Sequence, residues 1–139
     1  MLKDLAETYY FENNYNCAES ILRAANEYYH LELHDRDMIL VGAMGGGIQT
    51  GNTYGAFIAA ASVLSMLYVP EKAHESPDIS PVVTRLTMKV GERLDGFLCS
   101  DIKPRMLAPG QRCWNTVEIV CDTLEETIAE HNRLRGESV

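Results

Sequence analysis

The stretch Gly55–Val69, GAFIAAASVLSMLYV, decides the fold. It is the longest apolar run in the chain, broken only by Ser62 and Ser65. It falls short of the roughly 20 residues that a membrane-spanning helix needs. A helix formed here is apolar on nearly every side, so it has no face to give to water and must be wrapped by other helices. The run therefore predicts a long helix from Tyr54 to about Tyr68 at the centre of a helical bundle, capped by Asn52 or Thr53.

The flanking segments supply the wrapping. Leu2, Leu5, Ala6 and Tyr9 recur at helical spacing up to about Asn13. After the break at Asn14–Asn16, Asn16 reads as an N-cap, and Glu19 three residues on completes a capping box. The helix it opens carries Ala18, Ile21, Leu22, Ala25 and Tyr28 or Tyr29 on one face. Asp35 reads as the cap of a third helix through Met38, Ile39 and Val41, which must end near Met44 because Gly45-Gly46-Gly47 follows. Pro70–Pro81 reads as a surface loop, and Ser80-Pro81 as the start of a helix with Val83, Leu86, Val90, Leu94 and Phe97 inward. Asp101–Arg112, with Pro104, Pro109 and Gly110, reads as a second loop. Asn115, with Glu118, opens the last helix, whose buried stripe is Val117, Val120, Cys121, Leu124 and Ile128. Arg133–Val139 is expected to fray. No strand or internal repeat is found. The expectation is an all-α chain, one domain over residues 1–139, with five or six helices and a glycine-rich turn between two of them.

Composition narrows the function classes. Lys and Arg number 12 against 20 Asp and Glu, a net charge of −8. Such a chain lacks the basic surface that nucleic acid or anionic lipid would require. The N-terminus MLKDLAE has early acids and no apolar segment, so no secretory signal is read, and a cytoplasmic setting is expected. A C2 homodimer is the default association for a small bundle.

Two motifs are set aside. Gly45–Gly51 lacks the Gly-Lys-Ser/Thr of a P-loop, has Thr50 where a dinucleotide fingerprint needs glycine, and follows no strand, so it reads as a tight turn with residues at positive φ. His30 and His34 are four apart, but Leu31 stands where a zinc-protease motif needs glutamate; they read as an exposed helix end.

The cysteines carry more. Cys17 follows the cap Asn16 in the first turn of a helix. Cys99 closes the fifth helical segment, and Cys113 lies two residues before Asn115. Amide donors and the helix dipole favour a thiolate at a helix N-terminus. Cytosolic cysteines in a group are more often catalytic, redox-active or metal-binding than structural. Cys121 falls on the buried stripe and reads as core.

Taken together, Asn16-Cys17-Ala18, the turn Gly45-Gly46-Gly47 through Gly51-Asn52-Thr53, Cys99, and Cys113 ahead of the last helix resemble the redox-active protein family named for its C…GCAxxG…C…C motif. The resemblance runs from about Tyr15 to Thr127. Where that family has Gly-Cys-Ala-x-x-Gly, this chain has Tyr54-Gly55-Ala56-Phe57-Ile58-Ala59: the motif cysteine falls at Tyr54 and the second glycine on Ala59 or Ala60. The resemblance implies a helical fold and a site built from residues 17, 54, 99 and 113, with Gly45, Gly46, Gly47, Gly51 and Gly55 beside it.

Three functions follow as expectations. The first is thiol redox, with Cys99 and Cys113 forming a reversible disulfide and Cys17 an attacking or sensing thiolate, served by a redox partner or small molecule. The second is an iron–sulfur cluster or other thiolate-bound metal on Cys17, Cys99 and Cys113. The third is a helical binding or dimerisation module that has lost its chemistry.

Overall fold

The structure is a computed structural model that describes residues 1–136. Its α-helices are α1 Leu2–Glu7, α2 Cys17–Tyr29, α3 Asp35–Met38, α4 Gly55–Tyr68, α5 Ile79–Leu94, α6 Cys99–Met106 and α7 Trp114–Leu134. No strand forms among the described residues; Thr53 with Leu98 and Ala108 with Arg112 make isolated antiparallel bridges. The all-α class is as expected. Among the described residues the count rises to seven because α6 occupies much of the segment read as a loop; the expected third helix shortens to the single turn α3, followed by the 3-10 segment Ile39–Met44. None of the helices is long and apolar enough to cross a membrane, among the described residues.

α4 lies against α2, α5 and α7. Ala56, Ala59, Ala60, Val63 and Leu64 are all but sealed from solvent, while Met66 keeps 46% of its surface exposed. The apolar run is therefore wrapped on most sides but not all. Its two serines need no partner from outside the helix: Ser62 Oγ donates to the Ile58 carbonyl at 2.9 Å and Ser65 Oγ to that of Ala61 at 3.3 Å, returning the hydroxyl to the preceding turn. Gly55 is where α4 can start this close to α2. A Cβ there would stand 2.5 Å from the Met44 carbonyl oxygen and 3.1 Å from Ala18 Cβ.

α1 runs on through a wider π-type turn, Thr8–Glu12, and packs on α2 and α7. Its buried stripe is Leu2, Ala6 and Tyr10, spaced by four. The expected stripe is thus rotated: Tyr9 stays partly exposed and its hydroxyl donates to Glu27 at 3.0 Å. On α2 the capping box is present as read: Asn16 Oδ1 accepts from the Glu19 amide at 2.9 Å and Glu19 Oε1 from the Asn16 amide at 3.0 Å. Of the two candidate tyrosines, Tyr29 packs on the core and Tyr28 is exposed.

Other helix starts differ from the sequence reading. α3 is capped by His34, not Asp35, and the reciprocal acid is Asp37. His30 sits in the left-handed conformation that ends α2, so the two histidines bracket a loop and do not share a helix. Neither Asn52 nor Thr53 caps α4; the N-cap is Tyr54, without a side-chain bond. α5 begins at Ile79, one residue before Ser80-Pro81. Ser76 Oγ takes the amides of Asp78 and Ile79 at 3.3 and 3.1 Å, and Pro81 still falls in the first turn, where a missing N–H costs no helical bond. Val82 replaces Val83 on the buried face. α7 begins at Trp114 with Cys113 as its N-cap; Asn115 Nδ2 instead donates to the Met106 carbonyl at 3.3 Å. The stripe Val117, Val120, Cys121, Leu124 and Ile128 is buried as expected. The expected frayed end differs too, since α7 stays helical through Leu134; residues 137–139 lie outside the described part.

Candidate functional site

The segment Asp101–Arg112, read as a loop because of its prolines and glycine, is largely helix, and Pro104 lies inside it. Ile102 explains the difference. It is buried to 1% exposure, and this apolar anchor outweighs the helical bond that Pro104 cannot make. Cys99 is the first residue of α6, not the end of α5.

With that correction, the four positions of interest share one geometry. Cys17 is the first residue of α2, Tyr54 the N-cap of α4, Cys99 the first residue of α6 and Cys113 the N-cap of α7. All four line one cavity of about 370 Å³. Four helix N-termini thus converge on a single space.

Local contacts set each corner. Asn16, which caps α2, also donates through Nδ2 to the Gly42 carbonyl at 3.0 Å, tying the start of α2 to the 3-10 segment that leads into the glycine turn. The Tyr54 amide donates to the Phe97 carbonyl at 3.1 Å and the Cys99 amide to that of Asn52 at 2.6 Å. This short antiparallel pairing sets Tyr54 beside Cys99. Gly47 makes it sterically feasible: its φ is +67°, and a Cβ there would meet Cys99 Cβ at 2.7 Å. The neighbours Ile48 and Gln49 also adopt left-handed φ values of 56° and 62°, which side chains other than glycine seldom accept. At the fourth corner, the Cys113 amide donates to Tyr10 Oη at 2.9 Å. Arg112 stacks its guanidinium 4.0 Å from the Tyr10 ring centroid and donates to the Tyr10 carbonyl.

The electrostatics oppose the simplest expectation. Hydrogen bonds from the Gly46 and Ala18 amides do favour a Cys17 thiolate, but burial outweighs them and pushes the thiol above its ordinary value; the nearby Cys113 and Cys99 add to the rise. Burial likewise raises Cys113, against the pull of Lys103 and Arg112, and Cys99 works in the same upward direction. The three thiols are close enough to influence one another. None is disulfide-bonded in this structure. Cys121 is fully buried on α7, and burial raises its thiol strongly, which suits the core role read for it. Burial also raises the Tyr54 phenol, which stays neutral.

The metal alternative lacks a chelating set. Among the described residues, no three His, Cys, Asp or Glu side chains are grouped so as to hold a metal ion. The thiols line one cavity without forming such a group.

Sequence reasoning missed Tyr10, Lys103, Arg112 and Thr116, all of which line the cavity. The spacing Leu2, Ala6, Tyr10 was the available signal for the first. Lys103 and Arg112 lie in the segment read as loop, where side-chain direction has no pattern to follow.

A family model described as "Putative redox-active protein (C_GCAxxG_C_C)" matches residues 15–127. No curated protein and no solved structure matches.

Proposed function

The chain belongs to the C_GCAxxG_C_C family of redox-active proteins, and from that premise we propose that it exchanges disulfides through Cys17, Cys99 and Cys113. The observation that carries the reading is the shared cavity: three free thiols, each at a helix N-terminus, line one space.

Each step is an exchange of one sulfur–sulfur bond. Cys17, once deprotonated, attacks a substrate disulfide RSSR, forms Cys17–SR and expels RS⁻, which takes up a proton. Cys113 attacks Cys17 Sγ, releases the second RSH and forms Cys17–Cys113. Cys99 attacks Cys113 Sγ, leaving Cys99–Cys113 and free Cys17. In sum, RSSR and two cysteine thiols give one protein disulfide and two RSH. Cys17 is given the entry role because the Gly46 and Ala18 amides offset part of the cost of its burial, and Cys113 and Cys99 line the same cavity and follow it in turn. Attack by a thiolate is the general route of such exchange.

The test is disulfide mapping by mass spectrometry after exposure of the reduced protein to a small neutral disulfide. The expected products are a mixed disulfide on Cys17 and an internal Cys99–Cys113 bond, both reversed by reductant. In Cys113→Ser, the mixed disulfide on Cys17 should accumulate. Four thiols that stay reduced in the folded protein would overturn the proposal.

A further inference from the structure

The cavity holds more than its thiols. Its lining includes two cations, Lys103 and Arg112, and no acidic side chain. Among the described residues the Lys103 ammonium has no ion pair or side-chain hydrogen bond, although the chain as a whole carries a net charge of −8. Four helix N-termini add their partial positive charge at the same place. The lining also contains Tyr54 and Thr116, 3% and 5% exposed, whose hydroxyls are buried with no hydrogen-bond partner. A buried hydroxyl left unpaired loses its water without a replacement, which is unfavourable. Both residues border the cavity, and a small shift of either side chain would bring an unpaired donor to its wall. Leu107, Ile102 and Ala56 supply apolar wall, and about 370 Å³ lies within the size range of small-ligand sites.

We propose that the cavity binds a small organic anion, and that the substrate disulfide is one bearing carboxylates. One carboxylate would sit at Lys103 and Arg112, the sulfurs among the cysteines, and an acceptor oxygen would take the hydroxyl hydrogens of Tyr54 and Thr116. The disulfide part rests on the redox reading given above; the anion part does not. In the exchange the anionic disulfide is reduced to two thiols while Cys99 and Cys113 are oxidised, and no further co-reactant is needed. Tyr54 thus has a role of its own: it supplies a neutral donor at the position where the family motif has a thiol.

The experiment compares three small disulfides on the reduced full-length protein: the dianion 3,3′-dithiodipropionate, neutral bis(2-hydroxyethyl) disulfide and cationic cystamine. A protein of this net charge, without a local site, would favour the cation. The inference expects the reverse order at low salt, the dianion faster than the neutral compound by about tenfold. It expects Lys103→Glu to bring that ratio to one or below. Calorimetry with suberate, a dicarboxylate of similar length and no sulfur, reads the anion site without redox chemistry. Suberate should bind the parent and bind less tightly to Lys103→Glu and to the double variant Tyr54→Phe, Thr116→Val. Circular dichroism confirms that each variant folds. If the neutral disulfide exchanges and the dianion is no faster, the substrate class is wrong and the redox reading stands. If no disulfide exchanges but suberate binds in a Lys103-dependent way, the redox reading fails and the anion site stands. If suberate does not bind, the anion site is overturned.

Discussion

At the scale of single residues, burial and helix position act in opposite directions on the thiols, and burial is the larger effect. Cys17 and Cys113 both have raised values, so these two thiols should react slowly with alkylating agents at neutral pH. The rate should climb as pH passes the ordinary thiol value of 9.0. The sign for stability follows from proton counting. Between the unfolded and folded values, the native state holds protons that the unfolded chain has lost, so the unfolding free energy falls as pH rises. Cys121 and Tyr54, also raised by burial, push in the same direction. Urea midpoints should therefore be flat through neutrality and drop above about pH 9. A midpoint that rose with alkalinity would contradict the burial of these groups. Position along the chain was enough to suggest which cysteines lie at helix ends. It could not weigh amide donors against lost hydration, because that balance depends on walls supplied by distant segments such as Tyr10 and Ile102.

At the scale of elements, the sequence was most legible where a cap is built from neighbours. Asn16 and Glu19 form the expected box because both bonds are local. Asn115 and Glu118 show the same spacing, yet the helix starts earlier, at Trp114. There the backbone is held from outside, by Tyr10 on Cys113 and by Trp114 packed 5.7 Å from the Tyr10 ring. α6 was illegible for a related reason. Pro104 signals a break, but the gain from burying Ile102 lies in tertiary packing, which no local pattern reports. The cap on α2 yields a direct expectation. Asn16→Ala should cost about 1–2 kcal/mol in urea unfolding. It should also loosen the tie to Gly42 and raise the alkylation rate of Cys17 relative to Cys113. Asn16→Asp, which keeps the acceptor, should recover most of the stability. Equal stability in the alanine variant would mean that the box does not hold the helix.

At the scale of the whole molecule, the end of the bundle near the chain's C-terminus is fastened by a buried polar knot. His131, 5% exposed, accepts from Arg85 at Nδ1 at 2.9 Å and donates from Nε2 to Asp78 at 2.9 Å. The two bonds fix the tautomer with the proton on Nε2. They join the start of α5 to the last turns of α7, and Tyr68 from α4 packs edge-on to the same ring at 5.0 Å. His131→Ala removes one bond each from Arg85 and Asp78, which keep Glu130 and Arg135 as ionic partners, and should lower stability by about 2 kcal/mol with no shift in the disulfide products. A change in the cysteine chemistry of that variant would show that the two ends are coupled. The cysteine cavity lies among a different set of contacts, and its construction has a consequence for descent. Each of its corners is the leading residue of a separate helix, held by backbone amides at Tyr54, Cys99 and Cys113 and by the Asn16 cap at Cys17, and not by the side chain that occupies it. A corner is therefore a slot: a change of side chain at position 54 leaves the amide bond that holds it in place, so such a chamber can be re-equipped one occupant at a time without rebuilding its frame.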